Sequence, residues 1–262
     1  MSNAPSDLVV CFISREGTPA MNDMISQSLV RLGKRGYRIV GVHLEEREAS
    51  LSRSVREVCD LSIIKPSPRG LNPFANARRV SELLLGGLRD IVTEVFRGGA
   101  RAVVYMEGDK FTFVPYVDAL AAPILERGAD VSLAVRSPEG FCEFPWIQRL
   151  VERGVNRYLS RYTGIGTDYL YGPRAFSPRT ASFFRDYRDD DWGLMMYPVL
   201  ASIIQDYRFE SVVVPGAPQP NYMAKYDPIM RPPPAHLVWR SVQNLAIMRS
   251  ARAAALLAKR SG

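Results

Sequence analysis

This 262-residue chain predicts an α/β protein with a mainly parallel, doubly wound sheet, on three observations. Short apolar runs alternate with helix-length segments through the first half, the rhythm of strand–helix–strand units. Those runs are continuous, not alternating apolar with polar, as strands covered on both faces are. One of them, ending in Val103-Val104-Tyr105-Met106, stops at Glu107-Gly108-Asp109. That places two carboxylates at the carboxyl end of a buried strand, where open α/β sheets bind ligands.

The elements follow in order. Leu8–Ile13 reads as a strand, Met21–Leu32 as a helix, Tyr37–Leu44 as a second strand and Leu51–Val58 as a short helix. Leu61–Ile64 is a third strand, closed by Lys65-Pro66-Ser67-Pro68-Arg69-Gly70, whose prolines and glycine mark a loop. A long helix, Asn76–Phe96, leads into the acid-tipped strand. Val114–Glu126 is helical despite Pro123, and Asp130–Arg136 is a strand. The second half differs: a long aromatic and basic helix over Phe144–Tyr162, then Thr167–Phe176, irregular or strand. A short helix at Arg179–Phe184 precedes a helix over Trp192–Gln205, opened by Asp189-Asp190-Asp191. Phe209–Val214 is a strand, and a proline-rich loop separates it from a last helix starting near His236.

Composition narrows the functional classes. The net charge of +7 is concentrated at one end: no acid follows Asp227, but six Arg and Lys do. A nucleic-acid groove spreads its basic residues more widely, so the tail is expected to meet an anionic membrane surface or lipid phosphate. Cys11, Cys59 and Cys142 have neither zinc nor disulfide spacing, and no uncharged apolar run reaches about 18 residues. A cytoplasmic protein, peripheral at the inner face of the membrane, is the expectation. There is no Walker-type phosphate loop and no G-x-G-x-x-G after the first strand. The turn Ser14-Arg15-Glu16-Gly17-Thr18-Pro19 has one glycine, fewer than a sugar nucleotidyltransferase would use.

The acid pair is suited to a divalent cation, and a cation is useful against a diphosphate. Glycine between the acids lets backbone or ligand come close. Around that pair stand further landmarks: Ser14-Arg15-Glu16 after the first strand, Arg136 after the strand that follows the acid pair, and Asp168. Gly172-Pro173-Arg174-Ala175-Phe176 and Asp191-Trp192-Gly193 follow. In this order they resemble the GT-A glycosyltransferases, family 2 and its dolichol-phosphate mannose synthase-like and mannosylglycerate synthase-like relatives. The resemblance runs from about residue 8 to 215.

It implies a GT-A fold and transfer of one sugar from a nucleoside-diphosphate donor to a hydroxyl or phosphate acceptor. A catalytic domain over 1–227 is implied, with a nucleotide-sugar half (about 8–136) and an acceptor half (137–227). A basic, proline-rich loop and helix (228–262) follow. By resemblance, Ser14 and Glu16 would meet the nucleoside, Glu107 the ribose or the metal's water shell, and Asp109 would ligate Mn2+ or Mg2+. Arg136 would support the diphosphate or the acidic pair; a structural ion pair is the other reading. Asp191, or its neighbour Asp190, would be the acceptor-side carboxylate, removing the acceptor proton in an inverting member; three acids before a helix also make an N-cap. The chain departs from the family after the second strand, where only Glu45 could replace the acids that read the base. It departs again in the C-terminal loop, which lacks a histidine ligand; Lys225 would neutralise the diphosphate there, or Asp227 would ligate. His43 is isolated in sequence and is not read as a ligand. Rival readings are a non-catalytic nucleotide-sugar-binding or interaction protein of the same fold, and a sugar nucleotidyltransferase.

Overall fold

The computed structural model describes residues 7–15, 19–45, 50–68, 70–144, 146–215 and 234–261. Seven strands form one sheet: β1 (Leu8–Arg15), β2 (Arg38–Glu45), β3 (Leu61–Pro66), β4 (Ala102–Glu107), β5 (Val131–Arg136), β6 (Arg174–Phe176) and β7 (Phe209–Val214). Their spatial order is β3-β2-β1-β4-β6-β5-β7. The β1–β2, β2–β3, β1–β4 and β5–β7 pairings are parallel, and β6 runs antiparallel to both β4 and β5. The sheet is therefore mixed and mostly parallel, with its reversal in the segment the sequence left between irregular and strand.

The helices are α1 (Pro19–Lys34), α2 (Ser50–Val58), α3 (Pro73–Arg97), α4 (Val117–Arg127), α5 (Pro138–Cys142), α6 (Trp146–Thr163), α7 (Ala181–Asp186), α8 (Gly193–Ile204) and α9 (Pro234–Ser261). Alternation along the strands sorts the core into two layers. Val9, Cys11 and Ile13 pack with residues of α3, α6, α8 and α9, whereas Val10 and Phe12 pack with α1, α2 and α4. Local chemistry sets the ends. Asn72 caps α3 by accepting from the Ala75 amide at 2.9 Å, with Pro73 at the first helical position. Ser137 caps the short α5 in the same way at 3.1 Å; α5 ends at Cys142, and α6 starts at Trp146, within two residues of the helix expected over 144–162.

Helix α9 joins the same core. Its Ala246, Ile247, Ala251 and Ala254 are buried, and it packs along α8, α3 and α6. Of the expected loop and helix over 228–262, residues 228–233 and 262 lie outside the described residues, and the helix packs on the body of the fold. Its buried face is mostly alanine, so it lacks the apolar contrast by which a sequence betrays a packed helix.

Topology locates the crevice. From β1 the chain passes through α1 to β2 on one side, and from β3 through α3 it returns to β4 on the other. Strand order reverses between β1 and β4, the point at which open α/β sheets hold ligands beyond their carboxyl ends.

Candidate active site

The acid-bearing turn is pinned to its neighbours. The Gly108 amide donates to the Ile13 carbonyl of β1 at 2.7 Å, and the Ser28 hydroxyl of α1 donates to the Gly108 carbonyl at 2.6 Å. The Lys110 amide closes the turn on the Glu107 carbonyl at 3.0 Å. A Cβ at position 108 would fall 2.8 Å from the side chains of Phe12 and Ser14, so only glycine lets the turn lie this close to β1. At Gly172, φ is +120° and a Cβ would fall 2.3 Å from a Glu107 carboxylate oxygen. The Glu107 head group thus lies flush against bare backbone.

Beyond this turn opens a cavity of about 360 Å³. Ser14 and Arg15 line it from β1; Glu107, Asp109 and Lys110 from the end of β4; Tyr171, Trp192 and Arg240 close it. A smaller, mostly apolar cavity of about 140 Å³ adjoins it between α6, α8 and α9. Glu107, Gln148, Glu152, Trp192, Arg240 and Gln243 border both. The acid tip of β4 stands at their junction.

Arg136 lies in the wall of the larger cavity and is buried. Its Nε and Nη2 donate to Asp168 at 2.6 and 2.8 Å, and Nη2 also donates to Glu152 at 2.6 Å. The guanidinium sits 4.6 and 4.7 Å from the ring centroids of Phe141 and Phe144. Burial works against its charge, but the two carboxylates outweigh burial and hold its pKa above the usual range. Burial likewise pushes Asp168 up, and the Arg136 hydrogen bonds prevail, leaving it below the usual carboxylate value. This is the geometry of a structural ion pair within a cleft wall. Gln148 and Asn156 complete it, donating to Glu152 at 2.7 Å and to Asp168 at 3.2 Å.

The other expected residues divide into three groups. Ser14, Glu107 and Asp109 come together in the cavity wall. Ser14 Oγ lies 2.7 Å from His43 Nδ1, because β1 and β2 pair Ser14 with His43. Burial lowers the pKa of His43 to about 4, against the opposing pull of Glu45, so the ring is neutral at pH 7. Glu45 ends β2 on the same side of the sheet but is not in the cavity wall. Glu16, Lys225 and Asp227 lie outside the described residues.

Asp190 and Asp191, expected as the acceptor-side carboxylates, form the third group and are held by other parts of the chain. Neither borders either of these two cavities. Asp190 pairs with Arg89 of α3 at 2.9 Å. Asp191 accepts from the Tyr187 hydroxyl and the Gly193 amide, both at 2.8 Å, and its other oxygen meets Arg249 of α9 at 2.8 Å. It holds the first amide of α8 and ties α9 down, so both of its oxygens have structural partners.

Sequence reasoning missed Lys110 and Arg240. Lys110 directly follows the acid pair and could have been found there; its Nζ lies 5.6 Å from the Tyr171 ring centroid. Arg240 was counted with the tail, and only the packing of α9 brings it to the cavities.

Glu107 and Asp109 fit one divalent cation that keeps positions for water and diphosphate oxygens, as Mg2+ sites commonly do. Among the described residues no cluster of three or more His, Cys, Asp or Glu could hold a metal by itself.

With its sheet order, reversed sixth strand and acid-tipped central strand, the chain has the GT-A fold of nucleotide-diphospho-sugar transferases. Two solved structures carry the likeness. One is mannosyl-3-phosphoglycerate synthase from Rubrobacter xylanophilus, at 13% identity and a TM-score of 0.55, covering 94% of this chain and 72% of that one. The other is glucosyl-3-phosphoglycerate synthase from Mycobacterium tuberculosis in complex with UDP, at 11% identity and a TM-score of 0.52, covering 94% and 80%. No family model matches the chain, and no curated protein matches it in sequence. At such identities the likeness is one of fold.

Proposed function

We propose that the protein is a metal-assisted glycosyltransferase, moving one sugar from a nucleoside-diphosphate donor to an acceptor hydroxyl or phosphate. One observation carries this reading: the Glu107-Gly108-Asp109 tip lies at the switch point between β1 and β4, where two cavities meet. The UDP in the mycobacterial synthase structure supports a nucleotide-sugar donor for this fold.

Asp109 and Glu107 would hold Mn2+ or Mg2+, which when bound stabilises charge on the departing diphosphate, a contribution of several kcal/mol. Arg15 and Lys110 bring positive charge to the same wall. The donor would lie in the larger cavity with its nucleoside toward Ser14, and the acceptor would approach from the smaller one. Transfer then breaks the bond between the sugar and the diphosphate oxygen, forms the bond to the acceptor oxygen beside Glu107, and passes the acceptor's proton, where it carries one, to the departing nucleoside diphosphate or to water. Arg136 holds the shape of the wall through Asp168 and Glu152. Reducing, cytoplasmic surroundings suit the free thiols of Cys11 and Cys59, both buried.

A thermal-shift panel of nucleotide sugars with and without Mn2+ tests the reading. Saturation by the right donor is expected to raise the melting temperature by about 5–10 °C, only with the metal present. Silence toward every donor would point to a non-catalytic protein of the same fold. Pyrophosphate release from a nucleoside triphosphate would point to a nucleotidyltransferase.

A further inference from the structure

The smaller cavity is walled by Ile147, Val151, Leu170, Met195, Met196 and Ile247 before it reaches Glu107. Val151 both lines it and is 44% exposed, so the cavity meets the surface along α6. On the same helix, beside that opening, Trp146 and Leu150 are 59% and 61% exposed. Large apolar side chains left in water next to an apolar cavity mark an interaction surface.

The surrounding charge says what covers it. Arg153, Arg157 and Arg161 follow along α6, all exposed. The single acid of α6, Glu152, is buried against Arg136; the exposed acids just before the helix, Glu139 and Glu143, are outnumbered by the arginines of α6 and α9. Helix α9, which has no acid, lies alongside; its Arg252 donates to the Tyr158 hydroxyl of α6 at 3.1 Å. An apolar tip bearing a tryptophan, framed by arginines, complements an anionic lipid surface: aromatic and aliphatic groups enter the headgroup layer while the arginines meet phosphates. Among the described residues no helix is long and apolar enough to cross a membrane, so the contact is interfacial.

We propose that the first turns of α6 dock on an anionic lipid surface and that the apolar cavity takes a hydrocarbon chain of the acceptor, bringing its polar head to Glu107. The acceptor part rests on the transferase reading; docking and chain entry do not.

The test uses the full chain and phosphatidylcholine vesicles with or without phosphatidylglycerol. Co-sedimentation is expected to be at least about tenfold stronger with the anionic lipid. Replacing Trp146 and Leu150 together by Ser, at exposed positions where folding is checked by melting, is expected to weaken it about tenfold. In a Trp146→Phe, Trp239→Phe protein, Trp192 at the cavity junction becomes the only tryptophan and reports chain entry. Lipid brominated on its acyl chain is expected to quench Trp192, and Val151→Phe, which narrows the opening, to relieve the quenching while vesicle binding persists. Equal binding to both vesicle types, or binding without quenching of Trp192, would overturn the proposal. Metal-dependent stabilisation by nucleotide sugars is measured without vesicles, so it stands or falls separately.

Discussion

Two acidic tripeptides of this chain, Glu107-Gly108-Asp109 and Asp189-Asp190-Asp191, look equally suited to catalysis but have different surroundings. The first ends a buried strand and faces two cavities. The second opens α8, where Tyr187, Gly193, Arg249 and Arg89 already engage the carboxylates of Asp191 and Asp190. The difference shown is one of position: the first pair borders the cavities, whereas the second is tied to α3 and α9 by partners distant in sequence, 58 residues away for Arg249.

Substitutions can break this contrast. The largest effect is expected from Asp109→Asn: turnover should fall roughly 10³-fold, about 4 kcal/mol, as the metal-holding charge is lost. Product formation by mass spectrometry checks the loss, and a thermal melt of the ligand-free protein checks that the variant still folds.

Next comes the wall beneath the first tripeptide. His43 is held at about pKa 4, below its ordinary 6.5, so the folded state refuses a proton that the unfolded state accepts. Its contribution is complete above pH 6.5 and is lost as pH falls toward 4, about 3 kcal/mol in all. Urea unfolding across that range should show the loss in the wild type and a smaller one in His43→Gln.

Gly172→Ala sharpens the geometry of the acid tip. The added Cβ collides with the Glu107 carboxylate, and displacement of that order costs about 10²-fold in rate. Steady-state kinetics should show the fall in kcat with Glu107 itself intact.

Asp191→Asn is expected to have the smallest effect, and on stability rather than rate. Losing the charge shared with Arg249 and weakening the hold on the first amide of α8 should cost about 1–2 kcal/mol, or roughly 2–8 °C in melting temperature. Turnover at saturating donor should stay within about twofold, because a group outside both cavities contributes no transition-state contact. A loss comparable to that of Asp109→Asn would restore Asp191 as a catalytic base.

Much of the fold was legible because continuous apolar runs declare buried strands. β7 agrees with its expected bounds, and β4 ends at the acid expected to tip it. The direction of β6 was not legible. Its three residues are all buried, so no alternation marks them, and pairing with strands far along the chain decides which way they run. α9 was hidden for a different reason: an alanine face packs tightly with little hydropathic contrast, while its arginines suggested a free tail. Near the crevice, local sequence was enough to place Glu107 and Asp109 at the end of β4. The Ser14–His43 contact needs the β1–β2 register, and the engagement of Asp191 needs the position of α9; neither is a property of nearby residues.

The central claim is that the β4 tip, and not the acids before α8, holds a cation shared with a diphosphate. Mn2+ binding followed by electron paramagnetic resonance, with and without UDP or GDP, tests it most directly in the wild type, Asp109→Asn and Asp191→Asn. The account predicts that one nucleotide tightens Mn2+ binding in the wild type and Asp191→Asn, and that Asp109→Asn loses at least about tenfold of that affinity. Unchanged Mn2+ binding in Asp109→Asn, or its loss in Asp191→Asn, would contradict the account.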